Sequence, residues 1–184
     1  MIEKTMFTIL NFFINNIKFI ILKFLHPQNF KYSLYNFVSV FATVNIRKKG
    51  KITVGKNNKI LQGSLISALN SGEIRLGSNV FINRNCYIVS HKNITIEDNV
   101  IIGPNTIILD HDHKFSTEGI VKNEYKKEKV EIGHDTWIGA NCVILKGTNI
   151  GANCVIGAGS IVNCDIKDNS IFVQKRNNVI KEIQ

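Results

Sequence analysis

Residues 130–162 read VEIGHDTWIGANCVILKGTNIGANCVIGAGSIV, and a branched aliphatic returns at every sixth position: Ile132, Ile138, Ile144, Ile150, Ile156 and Val162. A spacing of six fits neither a helix of 3.6 residues per turn nor a two-residue alternation. Four of the aliphatics are followed by Gly133, Gly139, Gly151 and Gly157, and a small residue recurs four places after an aliphatic, at Thr136, Cys142, Thr148, Cys154 and Ser160. A short strand with one inward side chain, followed by a tight turn, generates this pattern. Such a unit cannot bury its apolar residue alone, so copies must stack, each aliphatic lying on its counterpart in the next coil. The pattern predicts an all-β solenoid.

The same frame runs backward through Leu76, Ile82 and Ile88, through Ile96, Ile102 and Ile108, and more weakly through Val54, Ile60 and Ile66. A sandwich of short strands would space its turns by about 8–12 residues instead. Two interruptions stand out. There are two extra residues between Ile88 and Ile96, and residues 109–129 form a long insertion. The expected organisation is residues 1–46 before the coils, 47–164 as the solenoid and 165–184 as a tail with a short strand and a final helical turn.

A chain of 184 residues with 44% hydrophobic and 20% charged residues is globular and of one-domain length. The net charge of +9 favours an anionic partner. A nucleic acid ranks last, because the basic residues are not interleaved with a stacking platform. Cys86, Cys142 and Cys154 occupy small slots of the repeat, and none of the four cysteines has C-x-x-C spacing, so a reduced, cytoplasmic compartment is expected.

Residues 6–25, MFTILNFFINNIKFIILKFL, are interrupted by Asn11, Asn15, Asn16, Lys18 and Lys23, too often for a membrane span. At 100° per residue, Ile9, Leu10, Phe13, Ile14, Ile17, Ile20, Ile21 and Phe24 share one helical face. Two placements are open. That face packs on a solenoid end or a sister subunit, or it lies on the cytoplasmic membrane surface with Lys4, Lys18 and Lys23 toward lipid phosphates. Pro27 ends the helix. Residues 30–46 are aromatic-rich, and periodicity does not decide between helix and strand there.

The insertion opens with LDHDHKF, which puts Asp110, His111, Asp112 and His113 at the first bend out of the scaffold. Such a projecting loop is a reasonable seat for catalysis. His111, His113 and His134 lack the spacing of a three-histidine zinc site, so no metal is expected.

The hexapeptide frame resembles the left-handed parallel β-helix of hexapeptide-repeat acyltransferases. The run IGHDTWIGANCVILKGTNIGANCVIGAGSIV is similar to their maltose, galactoside and xenobiotic O-acetyltransferase branch, and the resemblance covers roughly residues 50–183. It implies a homotrimer with active sites between subunits, and acetyl transfer from acetyl-CoA to a carbohydrate hydroxyl of a cell-surface polysaccharide or its precursor. A sugar-nucleotide N-acetyltransferase and a non-catalytic scaffold are the alternatives.

In that branch the catalytic histidine lies nine residues after the proline of a motif like IGPNTII, which points to His113, with His111 as secondary candidate and Asp110 or Asp112 as orienting carboxylate. Asn83 matches the asparagine that holds the acceptor hydroxyl and the tetrahedral intermediate, and Asn85 is near enough to be confused with it. The backbone N–H of Ala140, after the W-I-G motif, matches the oxyanion donor. Trp137, Gly139, Ala158 and Asn163 match the pantetheine channel. Lys175, Arg176 and Lys181 are the candidates for coenzyme A phosphates, although QKRNNVIKEI departs from the family's usual final segment.

Overall fold

The computed structural model describes residues 17–175. They form a left-handed parallel β-helix whose coils stack three faces of 6, 7 and 6 strands into a triangular prism. The first face begins with Phe30–Tyr32 and ends with Asn149–Ile150. The second runs from Phe37–Val38 to Ile171–Phe172, and the third from Thr43–Ile46 to Ile161–Val162. Every aliphatic of the six-residue frame from Ile132 to Val162 is buried, and so are Thr136, Cys142, Thr148, Cys154 and Ser160. Columns form because strands one coil apart pair in parallel register, as Ile102 does with Ile82 on one side and Ile138 on the other.

Two corners of the prism repeat strictly. From first to second face the inward residues step by six, as Val54 to Ile60 and Ile132 to Ile138, and the second-to-third step, Ile60 to Ile66 or Ile138 to Ile144, is also six. Turns at the first-to-second corner pass through Asn57, Asn79, Asn99, Asp135, Asn153 and Asn169, all with φ between 54° and 61°. Asparagine tolerates this left-handed conformation, and its side chain here reaches the neighbouring coil, as in Asn79 Nδ2 to Asn99 Oδ1 at 3.0 Å and Asn99 Nδ2 to Asp135 Oδ1 at 2.9 Å. The third-to-first corner is different. Its steps run from ten residues (Ile66 to Leu76) through eight (Ile88 to Ile96) and twenty-four (Ile108 to Ile132) to six (Ile144 to Ile150) and four (Val162 to Ile166). The two-residue interruption and the long insertion both fall there.

The solenoid starts earlier and ends later than expected. Residues 30–46 are its first coil, since Phe30–Tyr32, Phe37–Val38 and Thr43–Ile46 each pair with the coil above. Ile171–Phe172 closes the second face past residue 164. The insertion is a β-ribbon, in which His111–Ser116 pairs antiparallel with Gly119–Lys127.

The helix, α1 (residues 17–25), lies across the open end of the first coil, and it corrects the faces assigned from sequence: the apolar stripe is not what packs on the solenoid end, and Lys18 and Lys23 are not outward cations. Its packed face is Lys18, Phe19, Leu22 and Lys23. Phe19 is fully buried, edge-on to Phe30 and Tyr32 at 5.1 and 5.4 Å between ring centroids. Lys18 Nζ donates to the carbonyl oxygens of Val40 (3.1 Å) and Ala42, and Lys23 Nζ to those of Pro27 (2.6 Å) and Phe30 (3.1 Å). These lysines satisfy carbonyls of the first coil and the approach to it, so they are not turned toward a surrounding phase; burial holds the Lys18 pKa below the ordinary lysine value. The apolar side chains of Ile17, Ile20, Ile21 and Phe24 stay exposed, with Ile17 and Ile21 edging a shallow groove against Val40 and Val44 of the first coil. Residues 6–16 of the sequence pattern, and Lys4, lie outside the described residues.

Candidate active site

Asp110 sits in register with Ser90, which pairs with Ala68 one coil below, so its side chain occupies an inward slot of the third face. It is fully buried, and four donors converge on it. One oxygen accepts from the His91 backbone N–H (2.8 Å) and His111 Nδ1 (3.0 Å), the other from Ser90 Oγ (2.6 Å) and the Lys92 N–H (2.8 Å). Burial by itself raises the Asp110 pKa, but the bonds from His111, His91, Ser90 and Lys92 together outweigh it and hold the carboxyl below its usual range. The group is therefore ionised at neutral pH. With Nδ1 donating to this carboxylate, the basic lone pair of His111 is on Nε2.

His91, at the two-residue interruption of the repeat, stacks on His111 with ring centroids 4.0 Å apart, and Tyr125 tilts against it at 4.3 Å. Its Nδ1 lies 3.3 Å from Asn70 Nδ2. Burial, and then the charges of His111 and Lys127, push its pKa down to about 4, which keeps it neutral. Neither His91 nor Tyr125 was singled out from sequence. The extra residues between Ile88 and Ile96 were the signal for His91, whereas Tyr125 depends on the ribbon's pairing.

His113 is exposed on the ribbon opposite Tyr125, 4.9 Å between rings, just before a register shift that ends at Phe115. Among the described residues no carboxylate is bonded to its ring. Asp112 is turned to Lys146 at 3.3 Å, and Lys146 also holds Glu128 at 3.3 Å. Asp112 therefore ties the ribbon root to the next coil and does not orient a histidine. Of the two carboxylates weighed from sequence, Asp110 is the one on an imidazole, and that imidazole is His111.

The other candidates lie along the second face and its corner with the third. Asn83 follows the strand Phe81–Ile82, in the column that continues as Gly103, Gly139 and Gly157. That column is tight above it: a Cβ on Gly103 would stand 2.5 Å from the Gly139 backbone, and one on Gly139 would stand 2.6 Å from Ala158 N. Gly139 is thus required by coil stacking whatever else it does. Asn83 is half-buried and its Oδ1 accepts from the Arg84 N–H at 2.8 Å. Asn85 is a turn residue at φ 57°, in line with Asn105 and Asn141, and so has a structural reason to be asparagine.

The Ala140 N–H donates to no acceptor among the described residues, whereas the amides on either side bond Ile156 O (2.8 Å) and Pro104 O (2.9 Å). Trp137 is 54% exposed on the outside of the second face, between Ile101 and Val155 of adjacent coils. Ala158, Asn163 and Lys175 are exposed, and Arg176 and Lys181 lie outside the described residues.

The histidine ribbon thus leaves at the third-to-first corner, while Asn83, Ala140 and Trp137 stand at or beside the second-to-third corner. One protomer does not bring the two groups together.

A family model described as bacterial transferase hexapeptide (six repeats) matches residues 129–164. The putative lipopolysaccharide biosynthesis O-acetyl transferase WbbJ of Escherichia coli K12 is 31% identical over 146 residues, 74% of each chain. The chain belongs to the hexapeptide-repeat transferases. Within that family, the galactoside O-acetyltransferase of Escherichia coli K12 is 40% identical over 110 residues, 60% of this chain. The match is 54% of that relative, so the chain spans about half of its length. The crystal structure of a maltose O-acetyltransferase from Clostridium difficile 630 superposes with a TM-score of 0.52 at 28% identity, covering 88% of this chain and 74% of that one.

Proposed function

We propose that this protein transfers an acetyl group from acetyl-CoA to a carbohydrate hydroxyl, by general-base catalysis from the ribbon and within a homotrimer. The observation that carries this reading is the ionised, fully buried Asp110 at the root of a histidine-bearing ribbon, on the scaffold of a transferase family. A hydroxyl attacks a thioester carbonyl poorly unless its proton is removed during attack, and imidazole is the side chain chemically suited to that task at neutral pH. His113, exposed and nine residues past Pro104, takes that proton as the carbon–oxygen bond forms, and returns it to the departing thiolate. The Ala140 N–H, which bonds no acceptor among the described residues, faces the oxyanion of the tetrahedral intermediate, with Asn83 beside it. Trp137, Gly139, Ala158 and Asn163 are assigned to the pantetheine path and Lys175 to the phosphates, with Arg176 and Lys181 as the further cations the sequence offers.

The separation of the two groups on different corners supports a site formed between neighbouring subunits. The relatives named for lipopolysaccharide and galactoside acetylation support a surface glycan or its precursor as acceptor.

A second assignment of the base has its own observation. The Asp110–His111 bond gives His111 an oriented ring, with Nδ1 held on a buried carboxylate. An acetyl-CoA-dependent screen against activated and polymeric sugars, read by mass, tests the activity, and mild alkali separates a labile ester from a stable amide. His113→Ala is expected to lower turnover by about 10²- to 10⁴-fold with the oligomer intact. Full turnover in His113→Ala with loss in His111→Ala would transfer the role to His111, and absence of any acetyl transfer would remove the reading.

A further inference from the structure

We infer that the N-terminal end of the solenoid docks on an anionic lipid bilayer, with the outward stripe of α1 sunk into the interface. The inference does not depend on the transferase chemistry. It begins from the inverted packing of the helix. Ile17, Ile20, Ile21 and Phe24 are 50–85% exposed, while the face bearing both lysines is the one that packs. Val40 and Val44 of the first coil flank Ile17 and Ile21 in a shallow apolar groove, and Phe41 stands 76% exposed beside them. A monomeric surface seldom presents so many large apolar side chains at one end without an occupant.

Charge identifies the occupant. Residues 1–72 contain ten Lys and Arg and a single acid, Glu3, while residues 73–184 contain thirteen of each sign, so the whole net charge of +9 belongs to the first 72. In the structure this boundary falls at Glu73, where the third coil begins, so α1 and the first two coils hold nine cations and no carboxylate side chain. Arg47, Lys48, Lys49 and Lys51 form an exposed cluster, and among the described residues none of the nine is in an ion pair. A protein partner presents mixed charge, whereas a bilayer rich in anionic headgroups presents a continuous negative plane over an apolar interior. The latter matches an apolar stripe at the end of the molecule where Lys31, Arg47, Lys48, Lys49, Lys51, Lys56 and Lys59 face no carboxylate of their own coils. No helix among the described residues is long and apolar enough to cross a membrane, so α1 would lie in the interface. Docked this way, the solenoid stands on end. The histidine ribbon leaves the fourth coil, three strand spacings or about 14 Å from the first, and α1 adds a helix diameter of about 10 Å between that coil and the contact plane.

The test is flotation of the full chain with vesicles of phosphatidylcholine alone and with vesicles containing one part phosphatidylglycerol to two of phosphatidylcholine. Light scattering records particle mass in parallel. The expected result is flotation with the anionic vesicles, weakened by salt. Ile20→Asp and Phe24→Asp, both on exposed positions, should each lower vesicle affinity at least tenfold without changing particle mass. The triple substitution Arg47→Gln, Lys48→Gln, Lys49→Gln, which leaves the stripe untouched, should lower it about a hundredfold, roughly fivefold per cation. The inference is overturned if the unmodified chain stays with neither vesicle, or if the stripe variants float undiminished. A change of particle mass in those variants also overturns it, because the stripe is then a contact between protein chains.

Discussion

Asp110→Ala is the substitution from which the most is expected, and its cost can be worked from the four bonds it removes. Ser90 Oγ has a second acceptor in the Glu73 carbonyl at 3.0 Å, and the His111 ring is partly exposed, so both can find other partners. The His91 and Lys92 amides bond nothing else among the described residues. Two stranded amides at about 1–3 kcal/mol each give a loss of about 4 kcal/mol. At about 2–4 °C per kcal/mol for a chain of this size, the melting temperature should fall by about 12 °C.

Asp110→Asn should cost about half as much. The carboxamide oxygen can keep the His91 and His111 bonds while its NH₂ faces Ser90, whose hydroxyl can turn to accept, and only the Lys92 amide is then opposed by a donor. The assay is thermal and urea denaturation followed by circular dichroism, with particle mass checked alongside. Because the folded pKa of Asp110 lies below the unfolded value, its stabilisation is complete above the ordinary Asp pKa of about 3.9 and is lost as pH falls through the lower folded value. The gap between wild type and Asp110→Asn should therefore close in acid and stay constant at neutral pH. An Asp110→Ala protein that melts within about 2 °C of wild type would refute the idea that this carboxylate anchors the ribbon root.

Three other outcomes follow from the same structure. His91 is neutral when folded down to a pKa of about 4, so between about pH 6.5 and 4 the unfolded chain binds more protons and stability should fall with pH. His91→Phe, which keeps a ring on His111, should flatten that slope in a pH series of melts. Gly139→Ala places a Cβ against the Ala158 backbone and should destabilise by about 1–3 kcal/mol in urea denaturation, separating coil packing from any role in a channel. Lys18→Ala removes the donor that holds the Val40 and Ala42 carbonyls, and should speed amide hydrogen exchange in α1 and the first coil while leaving the later coils unchanged.

The solenoid from Leu76 onward was legible because each inward residue of the six-residue frame is a large aliphatic and a small residue recurs at its turns, so period and burial coincide. In residues 30–46 they do not. Phe30, Val38 and Ile46 point inward, but Leu34, Tyr35 and Phe41 are equally apolar and point out, and the period is drowned. The amphipathic pattern of the helix exchanges its two faces, because reading such a pattern assumes that charged side chains face water; here the lysines cap carbonyls and the isoleucines are left exposed. The motif count offers Asn83, Ala140 and His113 as candidates. It cannot tell that Asp110 turns inward and Asp112 outward, since that follows from Asp110 continuing the alternation of the third face for one more residue.

The unequal corners set where this architecture tolerates change. Adding one residue at either six-residue corner would shift the side chains of the following strand by one and carry an aliphatic out of its column, with every later coil displaced against its neighbours. The third corner has already taken steps of four to twenty-four residues without disturbing the columns on either side. A longer, shorter or wholly different ribbon can be exchanged there as a cassette. Such an exchange rewrites one edge of the prism while the rest of the molecule keeps its sequence.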